Sequence, residues 1–337
     1  MSVSVRQAEA PAAGGAAGPD DIQLALNSAY ERALPANDGA LADYIPELSR
    51  VEPDRFGVAL VTAKGRVYET GDVDVPFTIQ SVSKAFSYCL AIELVGAKAV
   101  RERVGVEPSG DAFNAIEFDP VTRRPYNPMV NAGAITVAGI LRECFKENAF
   151  ETVLDRFSKA AGRTLELDEA VYRSEEATGH RNRAISHLLC AANVLSEPVA
   201  PALDLYFRLC SISVTARDLA TMAATLARMG QNPITREYVF DLKAVRDTLS
   251  VMFACGMYDY SGNWTCDVGI PAKSGVGGGV IGVVNRQLGI GSFAPRLDSK
   301  GNSVRGVKVL RMLSDDLGLH TFECTNTGST FIEHLIS

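Results

Sequence analysis

Apolar positions along this chain change their spacing three times. From Ile22 to about Leu34 they recur with helical periodicity. Phe56 to Val61 and Arg66 to Thr70 are short runs on either side of Lys64-Gly65, the pattern of a β-hairpin. Val75 to Gln80 then leads into Ser81-Val82-Ser83-Lys84-Ala85-Phe86, where a helix is predicted to begin and run to Leu94, with Gly96 as its stop. Between about Asn131 and Gly230 helical spacing dominates. Asn131 to Phe145 is one helix, and Phe150 to Ala161 is another, closed by Gly162. Leu203 to Leu209 is short and apolar. Thr215-Ala216-Arg217-Asp218 resembles a capping box with Asp at its last position, opening a helix that Gly230 ends. In the last third Asp267 to Ala272, Val276 to Asn285 and Leu288 to Ala294 read as strands, with a tight turn at Arg286-Gln287, and Val304 to Leu317 reads as a closing helix.

Strands at both ends and helices between them predict an α/β (α+β) protein. Its sheet is assembled from N- and C-terminal segments, with a helical domain inserted. The expected boundaries are a disordered Ala/Gly/Pro-rich leader over 1–19, a sheet domain from 20–120 and 211–320, a helical insert over 121–210, and a C-terminal tail over 321–337. No internal repeat is visible, which excludes a solenoid.

Composition adds limits. At 337 residues, 47% hydrophobic and 22% charged, the chain has the profile of a soluble globular protein. A net charge of −7 disfavours nucleic acid as a partner. No run is long enough to span a bilayer, so no membrane association is expected. No cationic start followed by an apolar core marks a secretory signal. The seven cysteines, Cys89, Cys144, Cys190, Cys210, Cys255, Cys266 and Cys324, are scattered and never form a Cys-x-x-Cys pair. They read as buried free thiols in a reducing compartment, so a cytoplasmic location is expected.

The chemistry-bearing residues are few. His180, His187, His320 and His334 are the only histidines, and neither His-Glu-x-x-His nor Gly-x-Ser-x-Gly occurs. Zinc hydrolases and α/β-hydrolases are poorly supported on that ground. Ser81-Val82-Ser83-Lys84 fits Ser-x-x-Lys at a helix start. That spacing sets hydroxyl and amine on one face, and the helix terminus favours a developing anion. A desolvated lysine can serve as the base. Taken alone, an N-capping Ser81 beside a solvated Lys84 explains the pattern better. Ser83 is out of phase with Lys84 for this role. Lys273-Ser274-Gly275 supplies the second element of serine–lysine acyl enzymes, and Gly277 to Gly279 let a backbone approach substrate. Gly277 to Gly282 also fits Gly-x-Gly-x-x-Gly, but a strand pattern follows where a dinucleotide fold needs a helix. Tyr258 could relay a proton near the leaving nitrogen, or pack in the core with its hydroxyl satisfied.

Further stretches carry a resemblance: Ala42-Asp43-Tyr44-Ile45-Pro46-Glu47-Leu48, Phe77 to Lys84, Asn127-Pro128-Met129-Val130-Asn131-Ala132-Gly133-Ala134, Ser174-Glu175, Gly179-His180-Arg181-Asn182, Leu205 to Ile212, Cys255 to Asp259, and Pro271 to Val276. In order and without large gaps from Ile22 to Leu319, they make the chain similar to the serine-dependent glutaminases of the bacterial and kidney/liver type. The resemblance implies a β-lactamase/transpeptidase-like fold and hydrolysis of L-glutamine to L-glutamate and ammonia through an acyl-enzyme. It implies no cofactor or metal, and a homodimer or homotetramer. Ser81 resembles the nucleophile, Lys84 its base and Tyr258 the tyrosine beside it. The N–H groups of Ser81 and Val276 would form the oxyanion hole. Tyr44, Asn131, Glu175, Asn182 and Tyr206 match the substrate-binding positions. Glu175 would pair the α-ammonium of free glutamine, although without the resemblance Glu175 and Asn182 read as solvated residues of a charged helix with Arg173, Glu176 and Arg181. By charge alone Arg181 would be the carboxylate clamp; the family pattern points to Asn182.

Two other readings share this chemistry. One is a β-lactamase or peptidase, whose Ser-x-Asn element is matched only by Ser261-Gly262-Asn263. The other is a ligand sensor without turnover.

Overall fold

The computed structural model describes residues 19–43, 45–110, 116 and 118–323. Most of the expected leader, Tyr44, Cys324, His334 and nearly all of the expected tail lie outside the described residues.

Helix α1 (Pro19–Ala33) is followed by the hairpin β1 (Gly57–Thr62) and β2 (Val67–Gly71). A short strand β3 (Phe77–Thr78) runs into a 3-10 turn (Gln80–Val82) and then α2 (Ser83–Arg103). The central helices are α3 (Asn131–Phe145), α4 (Ala149–Ala161), α5 (Glu169–Thr178), α6 (His180–Ala191), α7 (Ala200–Cys210) and α8 (Ala216–Ala227), with β4 (Glu166–Leu167) and β5 (Ile212–Val214) between them. Helices α9 (Leu242–Cys255) and α10 (Ser261–Asp267) lead to β6 (Ala272–Ser274), β7 (Gly279–Val284), β8 (Leu288–Phe293) and α11 (Val304–Leu317).

The main sheet is antiparallel, in the order β2-β1-β8-β7-β6, so the first and last thirds of the chain build it together. β1 pairs β8 from Gly57↔Phe293 to Thr62↔Leu288. Side chains alternate across it as strand geometry requires. Val58 and Leu60 pack toward α1 and α11 with Leu26, Ala29, Val309 and Leu313, while Ala59 and Val61 meet Ala220 and Ala224 of α8. Helix α8 lies almost on the strand backbone. A Cβ at Gly289 would meet Ala224 N at 2.1 Å, and one at Gly291 would meet Ala220 N at 2.4 Å. Only glycine lets a helix approach this closely. β3, β5 and β4 form a separate small sheet.

Helix α2 is apolar nearly all round at its start: every residue from Ser83 to Ile92 is buried. Such a helix belongs in the centre of a core. It carries Lys84 there, among the large apolar cluster formed by α2, α3, α4, α7, α8 and α9.

Gly96 takes non-helical dihedrals (φ 83°, ψ 148°) and stops the first helical stretch as expected, a second stretch following to Arg103. Two sequence expectations need correction. Asp267 to Ala272 is not a strand. Asp267 ends α10, Gly269 takes φ +66° with the His320 ring close against it, and pairing begins only at Ala272. Not all cysteines are buried: Cys144 and Cys266 are exposed, whereas Cys89, Cys210 and Cys255 are buried. The capping box at Thr215 and Asp218 forms as expected. No helix of the described residues is long and apolar enough to cross a membrane.

Candidate active site

The end of β3 sets the site. Gln80 adopts φ +47°, a left-handed conformation that costs a non-glycine residue energy and turns the chain sharply before Ser81. Ser81 is buried in the 3-10 turn that follows, at the start of α2. Ser83 donates its hydroxyl to the Gln80 carbonyl at 2.7 Å, so that side chain closes the turn.

Lys84 is 2% exposed. Its Nζ donates to Asn131 Oδ1 at 2.6 Å and to the Met129 carbonyl at 3.4 Å. Asn131 Nδ2 in turn donates to Asn182 Oδ1 at 3.0 Å. Burial lowers the Lys84 pKa to about 8, against the opposing pull of Cys210 and Glu175. The core has removed the water that an ammonium needs, and the carbonyl-type oxygens around it only partly replace that water.

Tyr258 also has a positive φ, +57°, and is buried. Its hydroxyl is hydrogen-bonded with Ser81 and donates to the Ser274 carbonyl at 2.9 Å. Burial raises its pKa well above the ordinary phenol value. Beneath it lies Lys273 at the start of the Lys-Ser-Gly element, with no exposed surface. Lys273 Nζ donates to the carbonyls of Gly256 (3.0 Å) and Ser274 (2.6 Å) and stands 4.1 Å from the Tyr258 ring centroid. Burial and then the Lys84 charge lower its pKa far below that of a free lysine. Gly275 packs on the Ser81 turn, where a Cβ would lie 3.4 Å from Ser81 N. Val276 is buried beside it.

On the opposite side Glu175 projects from α5 and is 5% exposed, while Arg173 and Glu176 of the same helix are exposed. Burial raises its pKa to about 7, and a hydrogen bond from Gln80 and the Lys84 charge favour its ionised form. Tyr206 of α7 is buried and hydrogen-bonded with Cys210. The structure therefore gathers Ser81, Lys84, Asn131, Asn182, Glu175, Tyr206, Cys210, Tyr258 and Lys273 into one connected cluster. Tyr44 falls outside the described residues. Arg181 is exposed and Asn182 half-buried, so the smaller side chain is the inward one.

Gln80, which hydrogen-bonds Glu175, and Cys210 were not singled out by the sequence; Lys273 was, as the head of its Lys-Ser-Gly element. Its strand, Ala272–Ser274, is buried throughout, which the Lys-Ser-Gly spacing alone did not reveal. The Ser-x-Asn match dissolves. Ser261 Oγ donates to the Tyr258 carbonyl at 2.7 Å and accepts from Met257 N–H at 3.1 Å, and Asn263 is exposed on α10. No cluster of three or more His, Cys, Asp or Glu able to hold a metal occurs among the described residues.

Comparison with known proteins decides the family. The glutaminase family model matches residues 39–322. The chain belongs to the glutaminase family. It is 56% identical over 295 residues to Glutaminase 2 of Bradyrhizobium diazoefficiens, covering 88% of this chain but only 47% of that relative, so it spans about half the length of that protein. It is 48% identical over 311 residues to a glutaminase of a Nostoc species, covering 92% of this chain and 93% of that one. Among solved structures, the probable glutaminase ybaS superposes with a TM-score of 0.86 at 37% identity, over 91% of this chain and 100% of that one. Mglu in its tris and glutamate form gives 0.86 at 43% identity, over 90% and 68%. With these glutaminase neighbours, the fold is β-lactamase-like, as the resemblance implied.

Proposed function

We propose that this chain hydrolyses the side-chain amide of free L-glutamine to L-glutamate and ammonia through a Ser81 acyl-enzyme. The observation that carries this reading is the juxtaposition of the Ser81 turn with two buried amines and a buried phenol, facing a single buried carboxylate. An amide needs a nucleophile, a proton acceptor and a proton donor to the leaving nitrogen. Ser81 Oγ attacks the amide carbon, and its proton passes to neutral Lys84, directly or through the Tyr258 hydroxyl. The main-chain N–H groups of Ser81 and Val276 receive the oxyanion. Collapse returns the proton to nitrogen, ammonia leaves, and water attacks the ester by the reverse route. Lys273 stays beneath Tyr258 and holds the phenol against Ser274.

Glu175 takes the α-ammonium, while Asn131, Asn182, Tyr206 and Tyr44 hold the remaining polar atoms of the amino acid. Gln80 already bonds this buried carboxylate, and the substrate ammonium adds a direct charge partner. Inserted-domain organisation over 121–210, assembly as a homodimer or homotetramer, and a cytoplasmic location complete the proposal. No nucleic-acid partner enters it.

Ammonia release from L-glutamine, L-asparagine and D-glutamine side by side tests the reading, with light scattering on the same sample for assembly. Turnover of L-glutamine alone is expected. Equal turnover of asparagine, or none with any substrate, overturns it.

A further inference from the structure

Helix α5 carries Glu175 yet has little to hold it. It buries only Val171 and Glu175 out of ten residues. An amphipathic helix is normally fixed by a wide apolar stripe, and this one lacks it. Its first turn is anchored by Asp168, whose carboxylate accepts from the N–H groups of Ala170 and Val171, both at 3.0 Å. Beyond its last turn, Gly179 lies on α7 so closely that a Cβ would meet the Phe207 ring at 2.4 Å. Both contacts lie at the ends of the helix, four or more residues from Glu175.

A polar contact one turn away can fix the rotation of the helix at Glu175. Tyr172 donates its hydroxyl to Asp204 Oδ1 at 2.5 Å. The other oxygen of Asp204 accepts from Arg208 Nε at 3.0 Å. The Arg208 guanidinium covers the Tyr172 ring at 5.0 Å and the Phe150 ring of α4 at 5.4 Å. Burial and the Asp204 carboxylate push the Tyr172 phenol up to about 12, so it remains a donor. Asp204 lies two residues before Tyr206 on α7, and Tyr172 three residues before Glu175 on α5. Asp204 and Arg208 line a separate surface cleft of about 420 Å³ with Phe150 and Leu205, away from Ser81 and Lys84.

We propose that Tyr172, Asp204 and Arg208 form a positioning clamp that sets the rotation of α5, and with it the place of Glu175, relative to Tyr206. This rests on the reading of Glu175 as the partner of the substrate ammonium. The clamp touches no substrate. It acts on how well the amino-acid end is recognised, not on the acyl-transfer step.

The test is steady-state kinetics of the full chain with glutamine and N-acetyl-glutamine, for Tyr172→Phe, Asp204→Asn, their double variant and Glu175→Gln. Tyr172→Phe keeps the ring under Arg208 and removes only the hydrogen bond. It is expected to raise KM for glutamine roughly tenfold, the scale of one lost charge-assisted bond, with kcat within about twofold. The preference for glutamine over N-acetyl-glutamine should narrow by the same factor. The double variant should lose about as much as Asp204→Asn alone, because that change already weakens the Tyr172 bond along with the Arg208 one. A lowered Tm with KM and preference unchanged makes Tyr172 a purely structural residue and overturns the proposal. So does a fall in kcat at constant KM. The Glu175→Gln arm separates the two layers. If it abolishes the preference while Tyr172→Phe leaves it intact, the clamp fails and the Glu175 reading stands; if it leaves the preference unchanged, both fall.

Discussion

The proposed reacting end of the site rests on α2, whose first ten residues are all buried, whereas Glu175 at the proposed recognition end rests on α5, which buries two of ten. Lys84 is held in place by close packing of a continuous apolar core, and α8 lies against strand backbone behind it. Such packing allows few alternative positions. Glu175 and Asn182 are placed by polar contacts between short helices: Gln80 to Glu175, Asn131 to Asn182, Tyr172 to Asp204. The same pocket thus has a rigid chemical end and an end set by a few directional bonds. Damage to the first should remove turnover, and damage to the second should change what is bound.

The largest expected effect is at the rigid end. Ser81→Ala should lower kcat by about four orders of magnitude or more while glutamine still binds, since no other group replaces the nucleophile. Ser83→Ala should stay active, because that hydroxyl is engaged by the Gln80 carbonyl. Lys84→Arg should be as inactive as Lys84→Ala, because guanidinium cannot give up a proton. Isothermal titration with glutamine alongside ammonia release checks all four. An active Ser81→Ala with an inactive Ser83→Ala would transfer the nucleophile to Ser83.

At the recognition end the largest effect is expected from Glu175. N-acetylation of glutamine removes the positive charge and deprives the buried carboxylate of its direct charge partner, at a cost of about 3–5 kcal/mol. That corresponds to roughly two to four decades in kcat/KM. Glu175→Gln should weaken use of glutamine sharply and erase the preference over N-acetyl-glutamine. Comparable kcat/KM for the two substrates in the unaltered protein would mean that Glu175 has no recognition role.

How far the sequence could reach follows the same division. The helix Val304–Leu317 was legible because its apolar positions face one core with helical period. The β1–β2 hairpin was legible because a Gly turn at Lys64-Gly65 separates two short apolar runs. Asn131–Phe145 was legible from its length, being buried on every side up to Leu141. The Ser81–Lys84 spacing was legible as chemistry, yet its burial was not, since a lone lysine reads as solvated until α2 is seen to be apolar on every side. Glu175 was illegible from local pattern: Arg173 and Glu176 on α5 and Arg181, which the structure places on the separate helix α6, are all exposed, so the stretch reads as one charged surface helix. Only the resemblance singled it out. Asp267 to Ala272 misled for the opposite reason. Val268 and Ile270 are buried by Trp264 and α11 in a loop, so apolar alternation there reports packing rather than pairing.

Acid should act on both ends, in overlapping ranges. Lys84 must be neutral to accept a proton, and its lowered pKa of about 8 means that the neutral form is lost as pH falls through 8. Glu175 must be ionised to take the ammonium, and its raised pKa of about 7 means that the ionised form is lost as pH falls through 7. Both signs point the same way. For the free enzyme kcat/KM should fall about tenfold per pH unit below 8 and more steeply below 7. In Glu175→Gln the second steepening should vanish, and the first should remain but move to lower pH, because the Glu175 charge no longer supports the Lys84 ammonium. A profile flat from pH 6 to pH 9 would exclude both groups as titrating participants.

The smallest effects distinguish two neighbours on α6. Charge alone favours Arg181 as the clamp for the substrate carboxylate, because guanidinium binds carboxylate with two parallel bonds. Position favours Asn182, which is half-buried and accepts from Asn131 Nδ2, while Arg181 is exposed. An exposed cation outside the pocket contributes little to a contact screened by water and salt. Arg181→Ala should therefore leave kcat/KM for glutamine within about twofold, an effect no larger than that of a weak surface pair. Asn182→Ala should lower it roughly tenfold through KM, since it removes one hydrogen-bonding group from the pocket and loosens Asn131. Asn131 also accepts from Lys84, so Asn182→Ala should in addition cause a modest fall in kcat that Arg181→Ala does not. If Arg181→Ala instead raised KM tenfold and Asn182→Ala did not, the carboxylate would lie at the outer edge of α6. The recognition end would then reach the surface through Arg181 and not through the Asn131–Asn182 chain.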